Sequence, residues 1–87
     1  MPNEIAAVKR ALTLNGLQLP WPTDWIALFG RSAPLLMEIG FGGGHFLVDL
    51  AQRRSDTNVV GVERSHYSLT ETAERIRKAG LTNIRLI

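Results

Sequence analysis

The sequence predicts an α/β domain with a parallel sheet, and three stretches of it carry that prediction. An apolar run from Leu35 to Ile39 leads into a glycine-rich segment and then into an amphipathic one. A second short strand ends at Glu63, and a third follows Gly80. Because crossovers between parallel strands are right-handed, the pattern β-α-β-α-β predicts parallel strands in the order 3-2-1.

The first strand and its glycine turn are the centre of this prediction. The run from Leu35 to Ile39 is apolar except for Glu38, which predicts a central strand covered on both faces. The segment from Gly40 to Gly44 permits a sharp turn and lets a ligand reach main-chain atoms without meeting a Cβ atom. A helix beginning near His45 would direct its free N–H groups to this place, where α/β folds hold the charged part of a nucleoside ligand.

The remaining elements have their own local signals. Apolar residues recur at helical spacing after the turn, and this pattern ends at Arg54. Asn58–Glu63 is a short β-branched strand that ends in an acid. Ser68–Glu71 matches a capping box and opens a helix that stops at Gly80. The third strand is predicted over Ile84–Ile87.

Residues 1–34 are predicted to form an N-terminal helical arm and a run-in to the sheet. Asn3 is suited to cap a first short helix, and Thr23 or Asp24 a second one that ends at Gly30. Two prolines between these helices favour an extended path over the surface. The two tryptophans of the segment favour anchoring of the arm on the domain over stacking on a ligand.

Composition limits the class of protein. At 87 residues the chain is one small domain or part of one, with 45% hydrophobic and 21% charged residues as in globular proteins. The absence of cysteine excludes disulfides and thiolate metal sites, and no metal site is predicted. No apolar run approaches the ~18 residues of a membrane span. Without a signal pattern, a cytoplasmic protein is expected. The net charge of +2 permits a nucleic-acid partner without indicating one.

The spacing of the turn excludes two common nucleotide motifs. A dinucleotide fingerprint would need its last glycine at His45, and no Lys-Ser/Thr pair of a phosphate-binding P-loop follows the glycines. Glu38 lies in an otherwise apolar strand, where an unpaired charge would be costly. Its partners would be the N–H groups of the turn or a cationic group of a ligand. An acid here suits a positively charged ligand and would repel a phosphate.

Glu63 is the second acid that points to a ligand. It ends the second strand, 19 residues after Gly44, where doubly wound folds place an acid that accepts hydrogen bonds from ribose hydroxyls. An ordinary surface acid at the end of a strand is the alternative. Together with Glu38 it describes a pocket for a ribonucleoside with a cationic, non-phosphorylated tail, a description that fits S-adenosylmethionine.

Three stretches resemble one known family. Leu36–Leu47, which contains E-I-G-F-G-x-G, together with Val60–Glu63 and Gly80–Leu86, is similar to bacterial tRNA (guanine-N7-)-methyltransferases, which are class I methyltransferases. The similarity covers about Trp25 to Ile87. It implies the first half of a Rossmann-like class I methyltransferase fold, with residues 35–87 as a truncated S-adenosylmethionine-binding half-domain.

The resemblance also implies a function and a set of binding residues. The function is transfer of a methyl group from S-adenosylmethionine to N7 of a guanine in tRNA. Glu38 and Glu63 would contact the cofactor, and Gly40, Gly42 and Gly44 would form the turn under its methionine part. No catalytic residue is identified in this stretch, so the 87-residue chain alone is expected to be inactive.

Other functions remain open at this stage. One is a class I methyltransferase that acts on a protein or a small molecule. Another is a non-catalytic nucleoside-binding module in which two copies pair through the free edge of the first strand. That edge would otherwise be covered by further chain, which is the interpretation we favour, because soluble proteins rarely leave a long apolar edge bare. A nicotinamide dehydrogenase is disfavoured by the missing third glycine of its motif.

Overall fold

The computed structural model of the chain describes residues 13–16 and 18–87. Within this part the elements follow in the order α1 (Trp25–Phe29), β1 (Leu35–Ile39), α2 (His45–Arg53), β2 (Asn58–Val62), α3 (His66–Ala79) and β3 (Ile84–Leu86). The α/β class and the parallel sheet are therefore confirmed. The helix predicted to begin at Asn3 lies outside the described residues.

The sheet has β2 in its centre, with β1 on one side and β3 on the other, and both pairs run parallel. The register pairs Leu36 with Val59 and Glu38 with Gly61. The side chains of Leu36, Glu38 and Val59 therefore lie on the same face of the sheet. Because parallel neighbours end at the same edge, the turn after β1 and Glu63 after β2 lie side by side. This edge contains the predicted ligand site.

The core lies between the sheet and the two longer helices. Leu47 and Ala51 of α2 and Ala73 and Ile76 of α3 are buried against the sheet face that carries Val59. On β1 the opposite face is exposed: Leu35, Met37 and Ile39 expose 41%, 40% and 77% of their surface. The prediction that β1 is covered on both faces is thus wrong for the part of the chain described, because α2 and α3 cover only one of its faces.

The segment before β1 contacts the outer strand β3. Thr13 forms a parallel bridge with Leu86, and the N–H of Leu14 donates to the Leu86 carbonyl at 2.6 Å. The helix α1 is the predicted second short helix: Asp24 caps it by accepting the N–H of Ala27 at 3.0 Å, and it ends at Gly30. Its Phe29 ring lies 5.1 Å from the Arg85 guanidinium of β3, which ties the helix to the sheet.

The start of α3 differs from the prediction. The helix begins at His66, and its cap is Ser65, whose hydroxyl accepts the N–H of Ser68 at 3.2 Å. The predicted capping box at Ser68 is therefore wrong. Ser65 is extended (φ −77°, ψ 116°), which is the conformation that a capping residue needs. Its hydroxyl can therefore accept a free N–H group of the helix, almost one turn before the predicted cap at Ser68. This extra turn brings the beginning of α3 close to Glu63.

Asn83 joins the loops below the sheet. Its Nδ2 donates to the carbonyls of Ala51, Arg54 and Thr57 at 2.9, 3.0 and 3.0 Å, and the residue is buried. Asn83→Ala should therefore lower the free energy of unfolding by about 2 kcal/mol, because buried carbonyls lose their donor. Urea unfolding followed by circular dichroism measures this, with exposed Thr82→Ala as the control. Equal midpoints for the two variants would contradict the assignment.

Candidate functional site

The glycine segment forms a tight turn closed by the N–H of Gly44, which donates to the Phe41 carbonyl at 3.2 Å. Gly40, Gly42 and Gly44 have φ angles of 77°, 61° and 81°, a backbone region that residues with a Cβ atom rarely adopt. A Cβ atom on Gly40 or Gly42 would meet no atom within 4 Å, whereas one on Gly44 would collide with Thr72 of α3. The first two glycines therefore border open space, and the third permits close packing of α3.

Glu63 connects this turn to the loop after β2. Its Oε2 accepts the N–H of Gly42 at 3.0 Å, and its Oε1 accepts those of Arg64 at 2.9 Å and Ser65 at 3.3 Å. These N–H groups, that of Gly42 above all, hold the pKa of Glu63 below its ordinary value. Glu63 is consequently a carboxylate at neutral pH. Its Oε2 accepts one hydrogen bond and keeps a lone pair for a further donor, whereas Oε1 already accepts two.

One carboxyl oxygen of Glu38 has no hydrogen-bond partner among the described residues. Glu38 is half-buried, and its Oε2 is inaccessible to solvent and accepts no hydrogen bond from the residues that the structure describes. The N–H groups of Gly40, Gly42 and Gly44 donate to other acceptors. The predicted hydrogen bonds from the N–H groups of these three glycines to Glu38 are therefore not observed. A buried carboxylate oxygen without a donor is costly, so a cationic group that reached Glu38 would stabilise it.

The structure thus brings four of the five predicted binding residues to one opening. Glu38, Gly40 and Gly42 lie at the end of β1, and Glu63 reaches them from β2 through its contact with Gly42. Gly44 belongs to the same turn, but the space beside its Cα atom is filled by α3. Whether each of these residues binds a cofactor stays a prediction.

One residue at the turn was missed by the sequence pattern. Arg75 of α3 lies four residues after Glu71, a spacing that favours an ion pair on the solvated face of a helix. Instead its Nε donates to the carbonyl of Gly43 at 3.0 Å, and Glu71 accepts a hydrogen bond from the hydroxyl of Tyr67 at 3.2 Å. An i,i+4 pattern gives no sign of a contact that spans 32 positions of the chain.

An open groove between α2 and α3 lies next to the turn. It has a volume of about 410 Å³ and is lined by His45, Val48, Asp49, Gln52, Arg75, Lys78 and Ala79. It contains the cationic side chains of Arg75 and Lys78 and the anionic side chain of Asp49, so its charge alone selects no partner.

Residues 13–16 and 18–87 contain no group of three or more acidic or histidine side chains that could hold a metal ion. None of the helices found in these residues has the length and apolar character needed to cross a membrane.

The fold and the site together define an α/β domain with a candidate ligand site: a parallel sheet, a glycine turn bordering open space, and an acidic residue at the carboxyl end of each of two neighbouring strands. Comparison with known proteins makes this class specific. The profile of the family described as "Putative methyltransferase" matches residues 32–87. The chain belongs to this methyltransferase family.

Curated relatives are similar to the chain over about three quarters of its length. The tRNA (guanine-N(7)-)-methyltransferase of Thermus thermophilus is 47% identical over 66 residues, which are 76% of this chain and 21% of the relative. The proteins of the same name from Thermotoga maritima and Halalkalibacterium halodurans are 40% and 39% identical over 67 residues, which are 77% of this chain and 21% and 30% of the relatives. The chain thus spans between about a fifth and a third of the length of these relatives.

Proposed function

We propose that this chain supplies the S-adenosylmethionine-binding part of an enzyme that transfers a methyl group to N7 of a guanine in tRNA. The observation that carries the cofactor assignment is the contact of Glu63 Oε2 with the N–H of Gly42 at 3.0 Å, which places a carboxylate beside a glycine turn that borders open space. The tRNA assignment is supported by the shared name of the relatives. Residues 35–87 would form the first half of a Rossmann-like class I methyltransferase fold, with residues 1–34 as its arm.

The residues present fit this cofactor better than a phosphorylated one. Two carboxylates at the opening, Glu38 and Glu63, favour a cation and repel phosphate. Gly40 and Gly42 leave main-chain atoms accessible, and Oε2 of Glu63 retains a lone pair that could accept a hydrogen bond from a ribose hydroxyl. S-adenosylmethionine, when bound, supplies a methyl group on a positively charged sulfur. The contribution of this chain is then to bind and orient it.

The chemistry of the acceptor makes few further demands on this part of the protein. N7 of guanine carries an in-plane lone pair, so methylation requires alignment of the two reactants more than a strong base. The tRNA would be held mainly by contacts between its phosphates and basic side chains. We also propose that the enzyme lies in the cytoplasm and acts there on tRNA.

The cofactor site is tested by two glycines that differ only in their surroundings. A Cβ atom on Gly42 or on Gly30 would meet no atom within 4 Å, and both glycines have positive φ angles, 61° and 73°. We expect Gly42→Val to weaken binding of S-adenosylmethionine by at least about tenfold, because its side chain enters the site. Gly30→Val, at the end of α1, should impose a similar backbone strain and leave binding unchanged. Calorimetric titration with the cofactor and its demethylated product measures both.

Two results would contradict the proposal. Absence of binding by the folded wild-type chain would remove the cofactor assignment. Equal losses in Gly42→Val and Gly30→Val would show that strain, not occupation of the site, weakens binding. The substrate is tested separately, by transfer of labelled methyl groups to unmodified tRNA in comparison with proteins and small molecules.

One observation favours the alternative of a self-pairing module. Leu35, Met37 and Ile39 expose an apolar face on β1, and within the described residues this strand pairs on one side only, with β2. Sedimentation analysis of the titrated samples distinguishes the alternatives. A dimer that Met37→Lys dissociates, without any cofactor binding, would favour the self-pairing module.

A further inference from the structure

Arg75 holds the glycine turn from the side of α3. Its Nε donates to the Gly43 carbonyl at 3.0 Å in a partly buried contact. Glu63 holds the preceding residue from the side of β2, by accepting the N–H of Gly42 at 3.0 Å. Two oppositely charged side chains from two different elements therefore fix consecutive residues of the same turn.

The turn needs such support because of its composition. Gly42, Gly43 and Gly44 follow one another, and glycine loses more conformational freedom on ordering than any other residue. One backbone hydrogen bond, from Gly44 to Phe41, closes the turn. The contact with Arg75 fixes the orientation of the Gly43 carbonyl and hence of the peptide unit that also carries the N–H of Gly44.

Arg75 acts on the side of the turn that faces the helices. A Cβ atom on Gly43 would lie 3.6 Å from Glu71 Oε1 and 3.8 Å from the His45 ring, whereas one on Gly42 would meet open space. Arg75 thus reaches the turn from α3, whereas the space beside Gly42 is open.

We infer that Arg75 is a positioning residue for the cofactor turn: through the Gly43 carbonyl it orders the turn before the ligand binds. The inference rests on the proposed function, since it concerns the affinity of that site. A turn that is already ordered spares the ligand the entropy cost of ordering it. Loss of Arg75 should consequently weaken binding without removing any group that touches the ligand.

The experiment compares Arg75→Met with Lys78→Met on the purified chain. Methionine keeps most of the aliphatic length of arginine but has no donor for Gly43. Lys78 lies on the same groove, is exposed and carries the same charge. We expect Arg75→Met to weaken binding of S-adenosylmethionine about fivefold, the equivalent of one net hydrogen bond. Lys78→Met should bind as the wild type does, and Arg75→Lys should recover part of the loss.

A second substitution separates ordering of the turn from a general effect on stability. Gly43 is not among the glycines with positive φ, and an added Cβ atom would make only ordinary contacts. Alanine at this position restricts the free turn. In the Arg75→Met background, Gly43→Ala should therefore restore binding by about twofold or more.

A measurement without ligand completes the test. Amide hydrogen exchange at Gly44 should be faster in the free Arg75→Met chain than in the wild type and the Lys78→Met chain, because the turn opens more often. If exchange and affinity were both unchanged in Arg75→Met, the inference about Arg75 would be overturned, but the proposed function would not. Weaker binding that Gly43→Ala does not restore would show that Arg75 acts through stability instead. Absence of binding by the wild type would overturn the proposed function itself.

Discussion

Gly44→Ala should lower the free energy of unfolding by about 3 kcal/mol or more, the largest effect on stability expected here. Two costs add up. The new Cβ atom would lie 2.5 Å from Thr72 Cγ2 and 2.8 Å from Thr72 Cβ, so α3 must move away from the turn. In addition, alanine would have to adopt a φ angle of 81°, in the left-handed region. Thermal and urea unfolding measure the sum.

Gly40→Ala is the matched control for this prediction. Its φ angle is 77°, but a Cβ atom there would meet nothing within 4 Å, so only the strain of about 1–2 kcal/mol remains. The double variant Gly44→Ala/Thr72→Ala should recover part of the loss, because it removes the two nearest colliding atoms, Oγ1 and Cγ2 of Thr72, and leaves only its Cβ atom in close contact. The hydroxyl of Thr72 has no hydrogen-bond partner among the described residues, so its loss breaks no bond. Equal stabilities of the Gly40 and Gly44 variants would contradict the collision.

Glu63→Gln should have the largest effect on ligand binding: we expect the affinity for S-adenosylmethionine to fall at least about thirtyfold. Glutamine keeps one oxygen acceptor, but its NH₂ group would face an N–H donor, either that of Gly42 or those of Arg64 and Ser65. The turn would lose its support on the side of β2, and a ribose would lose a charged acceptor. Calorimetric titration, with circular dichroism as the control for folding, measures the change.

The matched control is Glu74→Gln. The pKa of Glu74 is also lowered, chiefly by its hydrogen bond with Arg77, but this pair lies on α3 away from the turn. The control should bind the cofactor as the wild type does. If both glutamine variants bound equally, the contact between Glu63 and Gly42 would have no part in the site.

The lowered pKa of Glu63 also predicts the direction of a pH effect. A carboxylate whose pKa is depressed by folding stabilises the folded state fully above its unfolded value, here the ordinary 4.5, and this contribution is lost as the pH falls through the folded pKa. The difference in melting temperature between the wild type and Glu63→Gln should therefore shrink below about pH 4.5. A difference independent of pH would show that Glu63 is not the ionised acceptor.

The order of the elements could be predicted from local sequence, because each element has its own periodicity and end signals. The helix α2 and the helix α1 with its Asp24 cap follow from such local patterns. The start of α3 did not, since Ser65 and Ser68 are equally good capping residues and only the path of the chain after β2 chooses between them. Local signals thus define elements better than their boundaries.

The site was predictable only where a pattern of residues has a fixed meaning. The spacing of Glu38, the glycines and Glu63 indicated their common place at the edge of the sheet. The role of Arg75 depends on which carbonyl lies beneath α3, and that is a property of packing that no spacing reveals. Likewise, the sequence indicated that Glu38 needs a partner, but not that the N–H of Gly42 is taken by Glu63.

The bridge between Thr13 and Leu86 determines on which side the sheet can grow. Of the two outer strands that the structure describes, β3 has its free side occupied by the backbone of Thr13 and Leu14, whereas β1 does not. A further strand, from any source, would therefore join at β1. Such an addition would turn β1 from an edge strand into an interior strand. The opening above Gly40 and Gly42 would then lie near the centre of a wider sheet, with loops on both sides of it.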